Sequence, residues 1–208
     1  MSMIVGLDFD NTLVTYDAVI HRAAVDQGLI PAATPVNKRF VRDRIRERPG
    51  GDIEWQKSQA RVYGPLMPQA QLIDGAADFI RRCRAALLRV FIVSHKTPFA
   101  GYDETGTNLR DAALRWMASA GFFDAGGLGF RRDDVFFEST RDDKIARIRA
   151  LGCDVFVDDL EEVFLESSFP VSVKKILYAP DERAAELAGA VVADSWQAVH
   201  AHVFNQPA

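Results

Sequence analysis

Ile4-Val5-Gly6-Leu7-Asp8-Phe9-Asp10-Asn11-Thr12-Leu13 is the stretch on which the reading of this chain turns. Residues 4–9 form an apolar run of buried-strand length, and its far end carries two carboxylates one residue apart. Ligand sites of parallel sheets lie at such carboxyl ends. Side chains at i and i+2 of an extended segment point the same way, so Asp8 and Asp10 would share one small region and repel each other unless a cation or a proton intervenes. A divalent metal is the natural remedy. A lone Asp-x-Asp is more often a surface turn, and it is the company this one keeps that argues for a site.

Working outward, apolar β-rich runs recur at 90–93, 135–137, 155–157, 176–178 and 191–193, with helical patterns between most of them. Phe79, Ile80, Cys83 and Leu87 fall on one helical face, as do Leu109, Ala113, Trp116 and Met117, and Ile145 with Ile148. This alternation predicts an α/β fold with a parallel sheet. The rhythm fails at 15–74, about sixty residues without a convincing strand. That segment reads as three helices, at 17–27, 35–48 and 52–63, with Thr34 as N-cap of the second and Pro49-Gly50-Gly51 as its stop. The expected organisation is therefore a core of 1–14 and 75–208 with a small helical cap inserted at 15–74. The cap carries 9 Lys and Arg against 7 Asp and Glu, net +2, whereas the remainder carries 16 against 22, net −6. Lys38, Arg42 and Arg46 form one helical stripe, expected to be a solvated face. The glycine-rich stretch 124–129 lacks the spacing of a phosphate-cradling loop and reads as a turn.

Composition narrows the function classes. A length of 208 residues, 48% hydrophobic and 26% charged, fits one globular domain carrying an insertion. No apolar run approaches the roughly 18 residues that span a bilayer, so no membrane partner is expected. The first residues read as a strand rather than a leader peptide. A formal net charge of −4 and a pI near 5.6 argue against binding a nucleic-acid polymer. Cys83 and Cys153 stand outside any Cys-x-x-Cys, which argues against a zinc site or a disulfide framework and makes a reducing cytoplasm the expected location.

Three later strand ends carry polar groups. Ser94 closes the second strand, where its hydroxyl and the following N–H can hold a phosphate oxygen. Lys144 sits in the first turn of a helix that Ser139 or Thr140 would cap, in reach of the sheet edge. Asp158 and Asp159 follow the run at 155–157 as a second carboxylate pair. After Ser94 a long loop begins with His95-Lys96-Thr97; Lys96 reads equally as a cation for substrate or as a solvated lysine.

Taken together as Asp8-x-Asp10-x-Thr12, Ser94, Lys144 and Asp158-Asp159, in this order and with a helical insertion after the first motif, the chain resembles the haloacid dehalogenase superfamily. The resemblance covers the whole chain in order and spacing. It implies a Rossmann-like core, a cap between the first and second motifs, and Mg²⁺ as cofactor. Residue by residue, it implies Asp8 as the nucleophile that forms an aspartyl-phosphate and Asp10 as general acid and then base. It further implies that Thr12 fixes Asp10 by hydrogen bonding, that Ser94 binds the phosphoryl group and that Lys144 neutralises its charge. The metal ligands would be Asp8, the backbone carbonyl of Asp10, and one of Asp158 and Asp159. The segment 94–97 also resembles phosphatase-like members linked with polysaccharide biosynthesis.

The expected activity is Mg²⁺-dependent hydrolysis of a phosphomonoester on a small phosphorylated substrate such as a sugar phosphate or a nucleotide. Asp10 favours phosphorus over haloalkane chemistry, because displacing halide requires no acid for an alkoxide. Two alternatives stand beside it. A phosphomutase uses the same aspartates but keeps water from the phosphoenzyme. A phospho-receiver module also combines an acidic cluster, a Ser or Thr, a Lys and Mg²⁺, but its phosphoacceptor lies on a later strand and it lacks a cap. The insert is expected to act as a closing lid with hinges at Thr15-Tyr16 and Gly75, and its residues, among them Trp55, Lys57, Arg61 and Tyr63, are expected to choose the substrate.

Overall fold

The computed structural model describes residues 2–103, 105–180, 187 and 189–205. In chain order they form β1 (Ile4–Leu7), β2 (Val14–Thr15), α1 (Asp17–Asp26), α2 (Lys38–Arg46), α3 (Gly51–Tyr63), β3 (Gln71–Leu72), α4 (Ala76–Ala85), β4 (Arg89–His95) and α5 (Leu109–Ser119). There follow β5 (Val135–Glu138), α6 (Arg141–Leu151), β6 (Val155–Asp158), α7 (Glu161–Leu165), β7 (Lys174–Tyr178), β8 (Ala190–Ala193) and α8 (Trp196–Phe204).

Six strands form one parallel sheet in the order β5-β4-β1-β6-β7-β8, as the apolar runs predict. Strands covered on both faces read as continuous hydrophobic runs, and the central β1, β4 and β6 are buried along most of their length, while β5 and β8 at the edges are half-buried. One face carries Phe91, Val93, Phe156 and Leu177 against Ile145 and Ile148 of α6 and Val163 and Phe164 of α7. On the other, Trp196 of α8 meets Phe79 of α4 and Tyr178 of β7, with ring centroids 5.1 and 5.7 Å apart. The chain builds outward from β1 through β4 to β5, then returns to the other side of β1 for β6, β7 and β8. The strand order thus reverses at β1, and α/β sheets hold ligands at the carboxyl ends of the strands where such a reversal falls.

Several sequence readings shift in detail. β1 ends two residues before its apolar run does. Asp8 N still donates to Val157 O (2.9 Å), but the chain then folds back, with Leu13 N and Val14 N both donating to Phe9 O (3.0 and 3.1 Å). Asn11 takes the left-handed conformation this turn requires, at φ 61°. The second helix starts at Lys38, not Pro35, and its cap is Asn37 rather than Thr34, because the Asn37 side chain accepts from Arg39 N and Phe40 N. Leu87 lies outside α4, in the left-handed region at φ 57°, and is exposed rather than on the buried helix face.

The chain divides into a sheet unit, Met1–Val14, Leu72–Lys96 and Gly121–Ala208, and a helical unit, Thr15–Gln71 and Thr97–Ala120. β2 and β3 pair where the chain passes from one unit to the other. The sequence reading assigned 97–120 to the core, but α5 groups with the helical unit. The Trp116 indole donates to Ala70 O (3.0 Å), and Gly64 leaves room for Thr107, whose atoms a Cβ there would meet at 3.3 Å. Elsewhere in that unit Tyr16 donates to Met67 Sδ (3.4 Å) and packs edge-on against Tyr63. The basic stripe is largely neutralised locally: Arg42 pairs with Asp43 and Arg46 with Asp52, both exposed pairs of small energetic weight.

Gly6 illustrates how tightly the central strand is packed. It lies in register with Phe91 on one side and Phe156 on the other, and a Cβ built there would stand 2.5 Å from Phe156 Cδ2. Gly6→Ala should therefore destabilise the protein by about 1–3 kcal/mol through overpacking, read as a lower urea midpoint at unchanged m-value.

Candidate active site

The carboxyl ends of β1, β4 and β6, joined by α6, bring most of the sequence-predicted residues together. Asp8 follows β1, Asp158 ends β6, and the two strands are neighbours. Lys144 is delivered by α6, whose start is fixed by the Thr140 hydroxyl accepting from Asp143 N (3.0 Å). Its Nζ lies 2.6 Å from Asp8 Oδ1 and 2.7 Å from Asp158 Oδ2, and all three side chains are buried. Leu160 N donates to Asp158 Oδ1 (3.1 Å), which fixes the turn that presents Asp159. Ser94 is buried at the penultimate position of β4.

Two expectations need correction. Thr12, read as the residue that fixes Asp10, donates its hydroxyl to Asp159 Oδ1 (3.3 Å). A hydroxyl has one proton to give, and the turn at Asn11 directs it to the neighbouring strand end. The Asp8 and Asp10 carboxylates face different lysines, and Lys96 departs from both of its readings. Asp10 pairs with Lys96, Oδ2 to Nζ 2.7 Å, and the Lys96 side chain is only 2% exposed. Lys96 is neither solvated nor open to a substrate. The sequence named it without deciding its role, since burial of a loop lysine has no local signature. Trp196 was missed as a support: its indole donates to Thr12 O (3.1 Å) from the far end of the chain.

Burial dominates the electrostatics. It pushes the Asp8 carboxyl up to about 7; the Lys144 ammonium opposes this, while the Asp158 and Asp10 carboxylates add to it. Burial alone would favour a neutral Lys144, but the Asp158 and Asp8 carboxylates outweigh it and hold the ammonium well above its ordinary value.

No protein-family model matches the sequence, and no curated protein matches it. Solved structures do match. A haloacid dehalogenase family hydrolase from Deinococcus radiodurans R1, crystallised with bound phosphate and sodium, is 17% identical with a TM-score of 0.59, over 98% of this chain and 96% of that one. A haloacid dehalogenase-like hydrolase from Streptococcus pneumoniae is 14% identical with a TM-score of 0.61, over 97% and 98%. A predicted phosphoglycolate phosphatase from Haemophilus somnus is 12% identical with a TM-score of 0.59, over 99% and 98%. This chain has the haloacid dehalogenase fold.

Within that fold, one oxygen each of Asp8, Asp158 and Asp159 lie within 4.8 Å of one another. Three carboxylates and the Lys144 ammonium leave a formal charge of −2. Apart from its ion pair, Asp158 Oδ2 has no hydrogen-bond partner among the described residues. Hard oxygen donors, a divalent charge deficit and an under-satisfied buried oxygen fit a small divalent cation such as Mg²⁺.

The raised Asp8 value makes a prediction for the metal-free protein. The folded state binds a proton at Asp8 more readily than the unfolded chain, so the contribution of Asp8 to stability is full below about pH 4 and is lost as pH rises through about 7. Asp8→Asn removes that dependence and leaves Lys144 paired with Asp158. In chelator, the melting temperature of Asp8→Asn should gain on that of the wild type by several degrees between pH 5 and pH 8, and millimolar Mg²⁺ should narrow the gap at pH 8.

Proposed function

We propose that this protein is a Mg²⁺-dependent phosphomonoester hydrolase that works through an aspartyl-phosphate on a small phosphorylated metabolite, a sugar phosphate or a nucleotide. The observation that carries this reading is Asp8 at the carboxyl end of β1, held at 2.6 Å by buried Lys144, with Asp158 and Asp159 beside it. The phosphate bound in the hydrolase of like fold from Deinococcus radiodurans is consistent with it.

In this reading an Asp8 oxygen attacks phosphorus as the ester P–O bond breaks, and Asp10 gives its proton to the departing alkoxide. Water then attacks the phosphorus of the aspartyl-phosphate, Asp10 takes the water proton, and phosphate leaves with Asp8 restored. Ser94 and Lys144 hold phosphoryl oxygens. Thr12 orients Asp159 through the bond it makes in the structure. Mg²⁺ would be held by Asp8, the backbone carbonyl of Asp10 and one of Asp158 and Asp159, and when bound it would supply the charge neutralisation that lets a carboxylate approach a phosphate dianion. The inserted segment 15–74 is the part assigned to choosing the substrate, as a lid. Among the described residues no helix is long and apolar enough to cross a membrane.

Phosphate release from a panel of phosphorylated metabolites, with Mg²⁺ and with chelator, tests the activity. Isomerisation of a sugar phosphate without net release would identify a mutase instead. Asp8→Asn should abolish turnover while the circular dichroism spectrum is retained; near wild-type activity would remove Asp8 as nucleophile. Asp10→Asn should slow alkyl phosphates by about 100-fold or more and an activated aryl phosphate far less. For the metal, replacement of Asp158 or Asp159 by Asn should raise the Mg²⁺ concentration at half-maximal rate at least tenfold for the direct ligand, and unchanged dependence in both variants would count against the site. Solution scattering with Mg²⁺ and a phosphate analogue tests the lid, which predicts a more compact particle on binding.

A further inference from the structure

Lys96 has a task that substrate binding does not explain. A side chain buried to 98% with its ammonium on a carboxylate cannot sweep out to clamp a ligand. Its stem is anchored from the sheet, since Lys96 N donates to Glu138 O (2.9 Å) one residue beyond the last β4–β5 pair, His95 with Glu138. The ammonium also lies 5.9 Å from the centre of the Phe9 ring, and that ring packs edge-on against Phe137. Fixed backbone therefore holds both ends of the Lys96–Asp10 pair. On the Asp10 side this is the turn in which Asp10 bridges to Val14 and Asn11 N donates to Val14 O (2.8 Å).

The neighbouring charges show what this fixation achieves. Asp8 and Asp158 already occupy the Lys144 ammonium. A carboxylate two residues from Asp8 without its own cation would be drawn towards that same group, in a poorly screened environment. We propose that Lys96 is a positioning residue for the reaction, holding the Asp10 carboxyl apart from the Asp8–Lys144–Asp158 cluster and aimed at the leaving-group oxygen. The proposal rests on the phosphohydrolase reading and on the acid–base role given there to Asp10. Lysine suits the task because a compact ammonium on a flexible stem can meet a single carboxylate oxygen end-on.

The test compares wild type, Lys96→Met, Lys96→Arg, Asp10→Asn and the Lys96→Met/Asp10→Asn double variant, on p-nitrophenyl phosphate and on the alkyl phosphate best hydrolysed by wild type, with Mg²⁺ present. Lys96→Met should lower kcat on the alkyl ester by about 10- to 100-fold, within the range that acid–base catalysis contributes, with KM within about twofold and a much smaller loss on the aryl ester. Lys96→Arg should recover part of the loss, and adding Lys96→Met to Asp10→Asn should cost nothing further. Equal losses on both esters, a change confined to KM, or full additivity in the double variant would overturn the proposal. If circular dichroism shows Lys96→Met to be unfolded, Lys96→Arg decides by the same ester selectivity. Failure of the underlying reading looks different: wild type would release phosphate from neither ester, or Asp10→Asn would itself show no leaving-group selectivity.

Discussion

One buried ammonium group, that of Lys144, organises the sheet unit. An ammonium at 1% exposure is costly unless it is paired, and Lys144 is paired twice, to Asp8 and to Asp158. The two partners come from different strands, so the pairing requires β1 and β6 to be neighbours in register and α6 to begin where Thr140 caps it. The apolar side chains of α6 serve the same end, since Ile145 and Ile148 seat the helix on the face that holds Phe91 and Phe156. Packing and charge thus fix the same geometry. Removing the lysine would leave two buried carboxylates uncompensated, a change of about 3–5 kcal/mol in comparable cases.

The excess of negative charge follows from how the two lysines are shared out. Lys96 satisfies Asp10, while Lys144 is divided among a set that also includes Asp159 at its edge. The residual charge therefore sits at the junction of β1 and β6 and not at Asp10. A fold selected only for stability would place hydrophobic groups there, because replacing buried ions by well-packed apolar side chains is often neutral or stabilising. Keeping the acids forgoes that stability, which supports the site proposed above.

Much of this was legible in the sequence, for a definite reason. Strands of a covered parallel sheet cannot hide their apolar runs, so all six strands of the sheet could be placed from the pattern of the sequence. The polar residues that interrupt those runs at their ends, Asp8, Ser94 and Asp158, stood out against them. What the sequence hid was set by contacts between distant segments. The burial of Lys96 depends on β4 extending beside β5, and the support of Thr12 by Trp196 spans 184 residues. The grouping of 97–120 with the helical unit depends on Trp116 finding the Ala70 carbonyl. The Asn37 cap was missed because several polar residues there could serve, and local spacing does not choose among them.

The early end of β1 was the most consequential of these differences. Had the chain stayed extended through Asp10, two like charges would have faced one region, and a single cation would have had to serve both. The turn at Asn11 breaks that equivalence. Asp8 remains on the ladder, its N–H bonded to Val157 O, and its carboxylate points to Lys144 in the interior. Asp10 belongs to the turn, bridged to Val14, with 19% of its side chain exposed and its carboxylate on Lys96. Two chemically identical residues are thereby given unlike surroundings by a fold-back of four residues. The proposed two-step phosphoryl transfer would use such a pair, with one carboxylate desolvated and immobile to attack phosphorus and the other near enough to solvent to exchange a proton in each half of the reaction. The unlike surroundings of Asp8 and Asp10, on which the proposed division of labour rests, are thus a property of the turn.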